Sequence, residues 1–183
     1  MPLPVAHALV GASVVAAIDP SPSSARAWKP LLAGAALALC PDLDYFFEWV
    51  LHWPDVHRTF THSLVFALGV GGVLVLWMGP ARRREGLAYS LAFLSHTLLD
   101  FATTRITEGV AWLWPYSMKG FKLGWFSFFE FEHGFERAGL LLENLTALLQ
   151  LSLLELVLFL PVFLLVLAVS RKRRAAEAQP VAV

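Results

Sequence analysis

The chain has 183 residues, of which 57% are hydrophobic and only 15% charged, and its mean hydropathy is +0.63. Soluble domains carry about a quarter charged residues, so this composition excludes an ordinary soluble fold and points to a membrane protein. Zero net charge leaves no basic field for nucleic acid, and a single cysteine, Cys40, excludes both an internal disulfide and a cysteine-rich zinc finger.

The first apolar run, residues 3–18, carries His7 near its start and then the small residues Gly11, Ala12, Ser13, Ala16 and Ala17. Small residues let helices approach closely in a bilayer. No Lys or Arg precedes Arg26, so the basic region of a cleavable signal is missing and the run is expected to be retained. Residues 19–24, rich in Pro and Ser, read as a linker that ends near Arg26 and Lys29.

A second segment starts after Pro30 and continues to Trp53, with Pro41 expected to break or kink it. Asp42 and Asp44 follow that proline. Next comes His57-Arg58-Thr59-Phe60-Thr61-His62-Ser63, leading straight into a third apolar run that reaches Met78 and the basic triplet Arg82-Arg83-Arg84. The fourth segment, residues 86–102, holds His96 and Asp100 near its end. Residues 103–144 mix Trp, Phe and Tyr with charges and glycines, which suits the headgroup layer as loops and a surface helix. Residues 151–169 form the cleanest transmembrane candidate, with Glu155 inside it, and the run stops at Arg171-Lys172-Arg173-Arg174. A single membrane-embedded domain over residues 1–170 and a basic, disordered cytoplasmic tail over 171–183 are expected.

If five segments cross alternately, Arg26, Lys29, the triplet at 82–84 and the cluster at 171–174 share one side. They account for nine of the fourteen Lys and Arg residues. The positive-inside rule makes that side cytoplasmic. His7, the two aspartates, the 57–63 stretch and the His96 to Asp100 end then all fall toward the opposite face.

His96 and Asp100 are four apart, so a helix puts them on one face, as two ligands of one ion or as a ligand and its orienting carboxylate. Taken alone, the pair reads first as a buried ion pair between helices. His57 and His62 straddle a helix start that Thr61 or Ser63 could cap, and two imidazoles with an arginine at the edge of an apolar run need partners. Arg58 suits phosphate or carboxylate oxygens. Asp42 and Asp44 fit either hard-cation ligands or caps of the next segment. His52 and His133 are set aside, and Glu143 or Glu155 could line the bundle. Together the histidines and aspartates suggest a mixed nitrogen and oxygen site for one or two divalent ions, zinc or manganese.

These motifs resemble the YdjM-like membrane-bound metal-dependent hydrolases, also described as LexA-binding, inner-membrane-associated hydrolases. The matching elements are His7 with Gly11, Gly34 ahead of Pro41-Asp42-Leu43-Asp44, the 57–63 stretch, Ser95-His96-Thr97-Leu98-Leu99-Asp100, and Trp114-Pro115-Tyr116. The ligand pattern also looks like that of zinc-dependent phospholipase C, which implies a helical phosphodiesterase site.

The expectation is an all-α polytopic bundle of about five membrane-embedded helices with an aromatic-rich interfacial segment, in the inner membrane, contacting lipid and no nucleic acid. Its activity is expected to be metal-dependent hydrolysis of a phosphoester in a lipid or lipid-linked substrate. His7, Asp42, Asp44, His57, His62, His96 and Asp100 would hold metal, Arg58 would clamp developing charge, and Asp42 or Asp44 would accept a proton. Two other classes use the same residues: an ion or proton transporter, and a structural metal staple.

Overall fold

The computed structural model describes residues 4–18, 28–53, 56–104, 108–125 and 141–177, the last range without the side chains of 141–144. These residues form helices α1 (Pro4–Ile18), α2 (Trp28–Leu39), α3 (Tyr45–Trp49), α4 (Leu64–Met78), α5 (Arg83–Thr103) and α6 (Leu141–Glu177). Short 3-10 turns occupy Cys40–Asp44 and Pro80–Arg82. No strand forms among the described residues, and one isolated antiparallel bridge pairs Val110 with Phe121. The described residues therefore form an all-helical fold, the class expected from the sequence.

Among the described residues, two helical stretches are long and apolar enough to cross a membrane, Trp28–Trp49 and Leu145–Glu177. The α4 and α5 pair, bent by 114° at its break, makes a third if counted as one span. Helix α1 has 15 residues, about 22 Å at 1.5 Å per residue, short of a hydrocarbon core of roughly 30 Å. The picture of about five membrane-embedded helices thus reduces to an all-helical bundle with two or three candidate spans.

Local chemistry sets the boundaries. Pro41 has no N–H to give back to the preceding turn, so α2 tightens into the 3-10 turn that carries Asp42 and Asp44. Ser63, in extended conformation, caps α4 by accepting the Phe66 N–H at 3.0 Å. Gly79, with φ of 70°, ends that helix where a side chain would be strained.

Helix α5 is the central element, packed against α1, α2 and α4. Ala88, Tyr89 and Ala92 of α5 form the core with Val15 of α1. Helices α1 and α2 touch at Gly11 and Gly34: a Cβ on Gly11 would lie 2.6 Å from the Gly34 carbonyl oxygen. That contact lets α1 descend far enough to place His7 beside α5.

Two polar contacts tie α6 to α1. The Ala6 N–H donates to Glu155 Oε2 at 3.0 Å, and Arg174 Nη2 donates to the Ala16 carbonyl at 3.1 Å. Arg84 Nε also donates to the Ile18 carbonyl at 2.8 Å. Arg84, Arg174 and the end of α1 therefore share one end of the bundle, while His7, at the start of α1, is at the other.

One local expectation differs. Helix α6 does not stop at Arg171 but continues through Glu177, because Arg, Lys, Ala and Glu favour helix and Arg174 is anchored on α1. Residues 108–125 form loops, as expected for part of the aromatic stretch, and residues 126–140 lie outside the described residues. The backbone approaches itself closely in these loops, since a Cβ on Gly109 would lie 2.7 Å from the Phe121 carbonyl carbon. The 19–24 linker, Arg26, His133 and residues 178–183 lie outside the described residues, as do the side chains of Glu143 and Asn144.

Candidate metal centre

Four pieces of chain meet at the end of the bundle opposite Arg84 and Arg174. Helix α1 supplies His7, the turn after α2 supplies Asp42 and Asp44, the loop before α4 supplies His57, Arg58 and His62, and α5 supplies His96 and Asp100. His7, Asp44, His62, His96 and Asp100 are fully buried.

At the centre, His62 Nε2 and His96 Nε2 lie 3.0 Å apart. Asp42 Oδ1 is 3.6 Å from His62 Nε2 and 3.3 Å from His96 Nε2. Asp100 Oδ2 is 3.6 Å from His62 Nε2 and 3.9 Å from His96 Nε2. A tetrahedral ion with bonds of about 2.1 Å has ligand-to-ligand edges of roughly 3.4 Å. These five of the six edges bracket that value, so both carboxylates stand at coordination-sphere distances from the pair of imidazole nitrogens.

The outer nitrogens of His57, His62 and His96 are fixed as those of metal-binding histidines usually are. His96 Nδ1 donates to the Ala38 carbonyl at 2.7 Å, leaving Nε2 to face the cluster. His57 Nδ1 donates to Asp44 Oδ1 at 2.9 Å. Thr61 donates to Asp44 Oδ2 at 2.6 Å, so its oxygen is free to accept from His62 Nδ1 at 2.9 Å. His7 stacks on His96 with ring centroids 3.8 Å apart, and its Nε2 is 3.4 Å from Asp100 Oδ1.

Among the described residues, several buried polar atoms have no hydrogen-bond partner: both nitrogens of His7, Asp42 Oδ1, His57 Nε2 and both oxygens of Asp100. Buried polar atoms are rarely left so. With imidazoles neutral and carboxylates ionised, Asp42, Asp44 and Asp100 against Arg58 give −3 + 1 = −2. A divalent cation would supply the missing partner and cancel that charge. The donor set, imidazole nitrogen with carboxylate oxygen, suits zinc or manganese. Two three-residue groups have ligand atoms within 4.8 Å of one another, His7 with His96 and Asp100, and Asp42 with His57 and His62.

The predicted residues fall into three roles by position. Asp42, His62, His96 and Asp100 point at one another, and His7 and His57 flank them. Asp44 stands one step back, since its oxygens receive His57, Thr61 and the Arg58 N–H, the last at 3.3 Å. Arg58 reaches Asp100, with Nε 3.7 Å from Oδ2. His52 is exposed and takes no part.

Burial opposes the charged form of His62, yet hydrogen bonding to Asp42 and Asp44, with Asp100 nearby, outweighs it and pushes the pKa up to about 9. Without a metal, a proton therefore takes the place of a cation there.

Sequence reasoning left three contributors without a role here. The Ala38 carbonyl leaves no trace in residue type. Tyr45 stacks on His57 with centroids 4.0 Å apart, and only its place one residue after Asp44 signals it. The Ala111 N–H holds the Arg58 carbonyl at 3.0 Å, a contact across 53 positions.

The family profile described as YdjM inner membrane protein matches residues 1–175, and the chain belongs to that family. It is 42% identical over 103 residues to the inner membrane protein YbcI of Escherichia coli strain K12. The match covers 52% of this chain and 58% of that protein, so the chain spans little more than half the length of that curated relative. No solved structure matches.

Proposed function

We propose that this inner membrane family member is a metal-dependent hydrolase of a phosphoester in a lipid or lipid-linked substrate. The observation that carries the reading is the convergence of Asp42 Oδ1 and Asp100 Oδ2 on the His62 Nε2 and His96 Nε2 pair, each within 3.0 to 3.9 Å of those nitrogens. These four residues would hold the ion, with His7 and His57 at its flanks. A divalent ion held there would polarise a phosphoryl oxygen and lower the pKa of an attacking water.

The other groups have separate tasks in this reading. Arg58, beside Asp100, offers a planar cation to the charge that grows on the phosphoryl oxygens. Asp44, expected from the sequence as a proton acceptor, has both oxygens engaged and instead holds His57 Nδ1–H, so in this reading His57 Nε2 takes the proton of water. The oxygen–phosphorus bond to water forms as the ester bond breaks and its alkoxide leaves. The Asp42 side chain is 20% exposed while that of Asp100 is 0%. An opening on the Asp42 side favours an enzyme over a closed structural staple.

The basic end bearing Arg84 and Arg174 is assigned to the cytoplasm, with several passes through the membrane and the metal centre toward the opposite face.

The test is to purify the chain in detergent, quantify its metal, and assay a panel of phosphoesters beside His62→Ala and His96→Ala. The expected result is bound metal and hydrolysis in the wild type, both lost in the variants. Metal bound by the wild type with no substrate hydrolysed would turn the reading toward a structural or transport role.

A further inference from the structure

The segments that flank the centre carry large side chains that the bundle leaves uncovered. On one side the chain leaves Asp42 and Asp44 and enters α3. Its inner face sets Tyr45 on His57. Trp49, whose ring centroid lies 5.0 Å from that of Tyr45, is exposed at 71%, and Phe46 and Trp53 are exposed beside it at 55% and 56%. On the other side, residues 108–125 expose Tyr116 at 86%, and Lys119 and Lys122 are exposed with it.

A run of rings joins the two rims. Phe47 lies 6.0 Å from Trp53 and 5.8 Å from Phe60, and Phe60 lies 5.8 Å from Trp114. The rim is one surface, resting on the loop that carries Arg58 and His62.

Its depth follows from helix length. Helix α2 has 12 residues, about 18 Å, and the 3-10 turn has five, about 10 Å. Together they span about 28 Å, close to the roughly 30 Å of a hydrocarbon core. Starting from the basic end, the candidate span Trp28–Trp49 therefore reaches the far boundary of the core within α3. Trp and Tyr interleaved with Lys at that depth have the composition of a headgroup belt.

We infer that this rim is a docking surface for the headgroup layer of the leaflet on the metal-centre side, and that the opening beside Asp42 faces that layer. A phosphoester carried by a lipid would then reach the centre from within the leaflet rather than from bulk water. The route of entry rests on the hydrolase reading; the depth of the rim does not.

Depth is measured first, without catalysis. In a Cys40→Ala background, Trp49→Cys and Tyr116→Cys are each labelled with an environment-sensitive fluorophore and reconstituted into phosphatidylcholine vesicles. Quenching is compared for a headgroup-level nitroxide lipid, a mid-chain nitroxide lipid and aqueous iodide. The headgroup quencher is expected to exceed the other two at least twofold at both positions. Dominance of iodide or of the mid-chain quencher overturns the proposal.

The second measurement is hydrolysis of a vesicle-borne lipid phosphoester and of a short water-soluble one by Trp49→Ser, Trp53→Ser. A loss of about tenfold confined to the vesicle substrate supports entry from the leaflet, and equal losses on both refute it. A wild type that hydrolyses neither substrate counts against the hydrolase reading, and the quenching result still decides the docking surface.

Discussion

His62 and His96, thirty-four positions apart, bring their Nε2 atoms within 3.0 Å of each other at the buried end of the bundle. Each is turned that way by a bond from its Nδ1, to Thr61 in one case and to the Ala38 carbonyl in the other. Two lone pairs so close are tolerable only around a proton or a cation. Replacing either histidine by alanine is expected to weaken zinc binding by at least a hundredfold while helical content is kept. Metal titration of the detergent-purified variants, followed by circular dichroism, checks both halves.

Asp44 offers a subtler test, because both of its oxygens are occupied by the loop it orders. Outer carboxylates of this kind typically contribute about 10- to 100-fold to metal affinity or activity. Asp44→Asn is therefore expected to lower affinity or turnover by that factor and still fill with metal at saturation, whereas Asp100→Asn should reduce stoichiometry. Bound metal per chain, measured across a concentration series, separates the two.

Much of this arrangement was legible in the sequence. Ionisable groups stand out in an apolar chain, and alternation of segments separates them from the basic clusters. The contact of Arg84 with Ile18 and of Arg174 with Ala16 follows the same separation of ends. Other features were not legible. Whether Asp42 or Asp44 faces the centre depends on the phase of a five-residue 3-10 turn, which residue type does not encode. The 114° bend between α4 and α5 and the grip of Ala111 on Arg58 are tertiary contacts with no local signature.

The close passage of α1 over α2 should be sensitive to volume. A Cβ on Gly11 would meet the Gly34 carbonyl oxygen at 2.6 Å, and backbone cannot retreat as a flexible side chain can. Overpacking of this kind costs about 1–3 kcal/mol. Gly11→Val is expected to lower the melting temperature in detergent and, by lifting α1, to weaken metal binding through His7. Gly69→Ala, at a site where an added Cβ meets nothing within 4 Å, should change neither.

The pH response has a definite sign. His62 has a pKa raised to about 9 in the metal-free fold, against about 6.5 for an unperturbed histidine. Its stabilising contribution is therefore complete below about pH 6.5 and is lost as pH rises through 9. Metal needs the neutral imidazole, so affinity should increase over the same window. Melting curves at pH 6.5 and 9.5 are expected to show the metal-free protein losing stability while the shift produced by added zinc grows. A zinc-induced shift that does not change with pH would count against proton and metal sharing this position.

Arg58 separates backbone cost from side-chain function. Its φ of 65° is left-handed, a conformation that costs a non-glycine residue about 1–2 kcal/mol. The site holds it there through the Arg58 N–H on Asp44 and the Ala111 N–H on the Arg58 carbonyl. Arg58→Gly would relieve the backbone and remove the guanidinium beside Asp100, whereas Arg58→Lys would keep the charge and the strain but lose the planar fork. If Arg58 serves a phosphoryl group, both variants should retain metal and lose about 100-fold or more in hydrolysis, and inorganic phosphate should inhibit them far less than the wild type. If its role is only to neutralise Asp100, the lysine variant should keep near-normal hydrolysis and phosphate inhibition. Inhibition constants for phosphate, measured beside metal content, decide between the two.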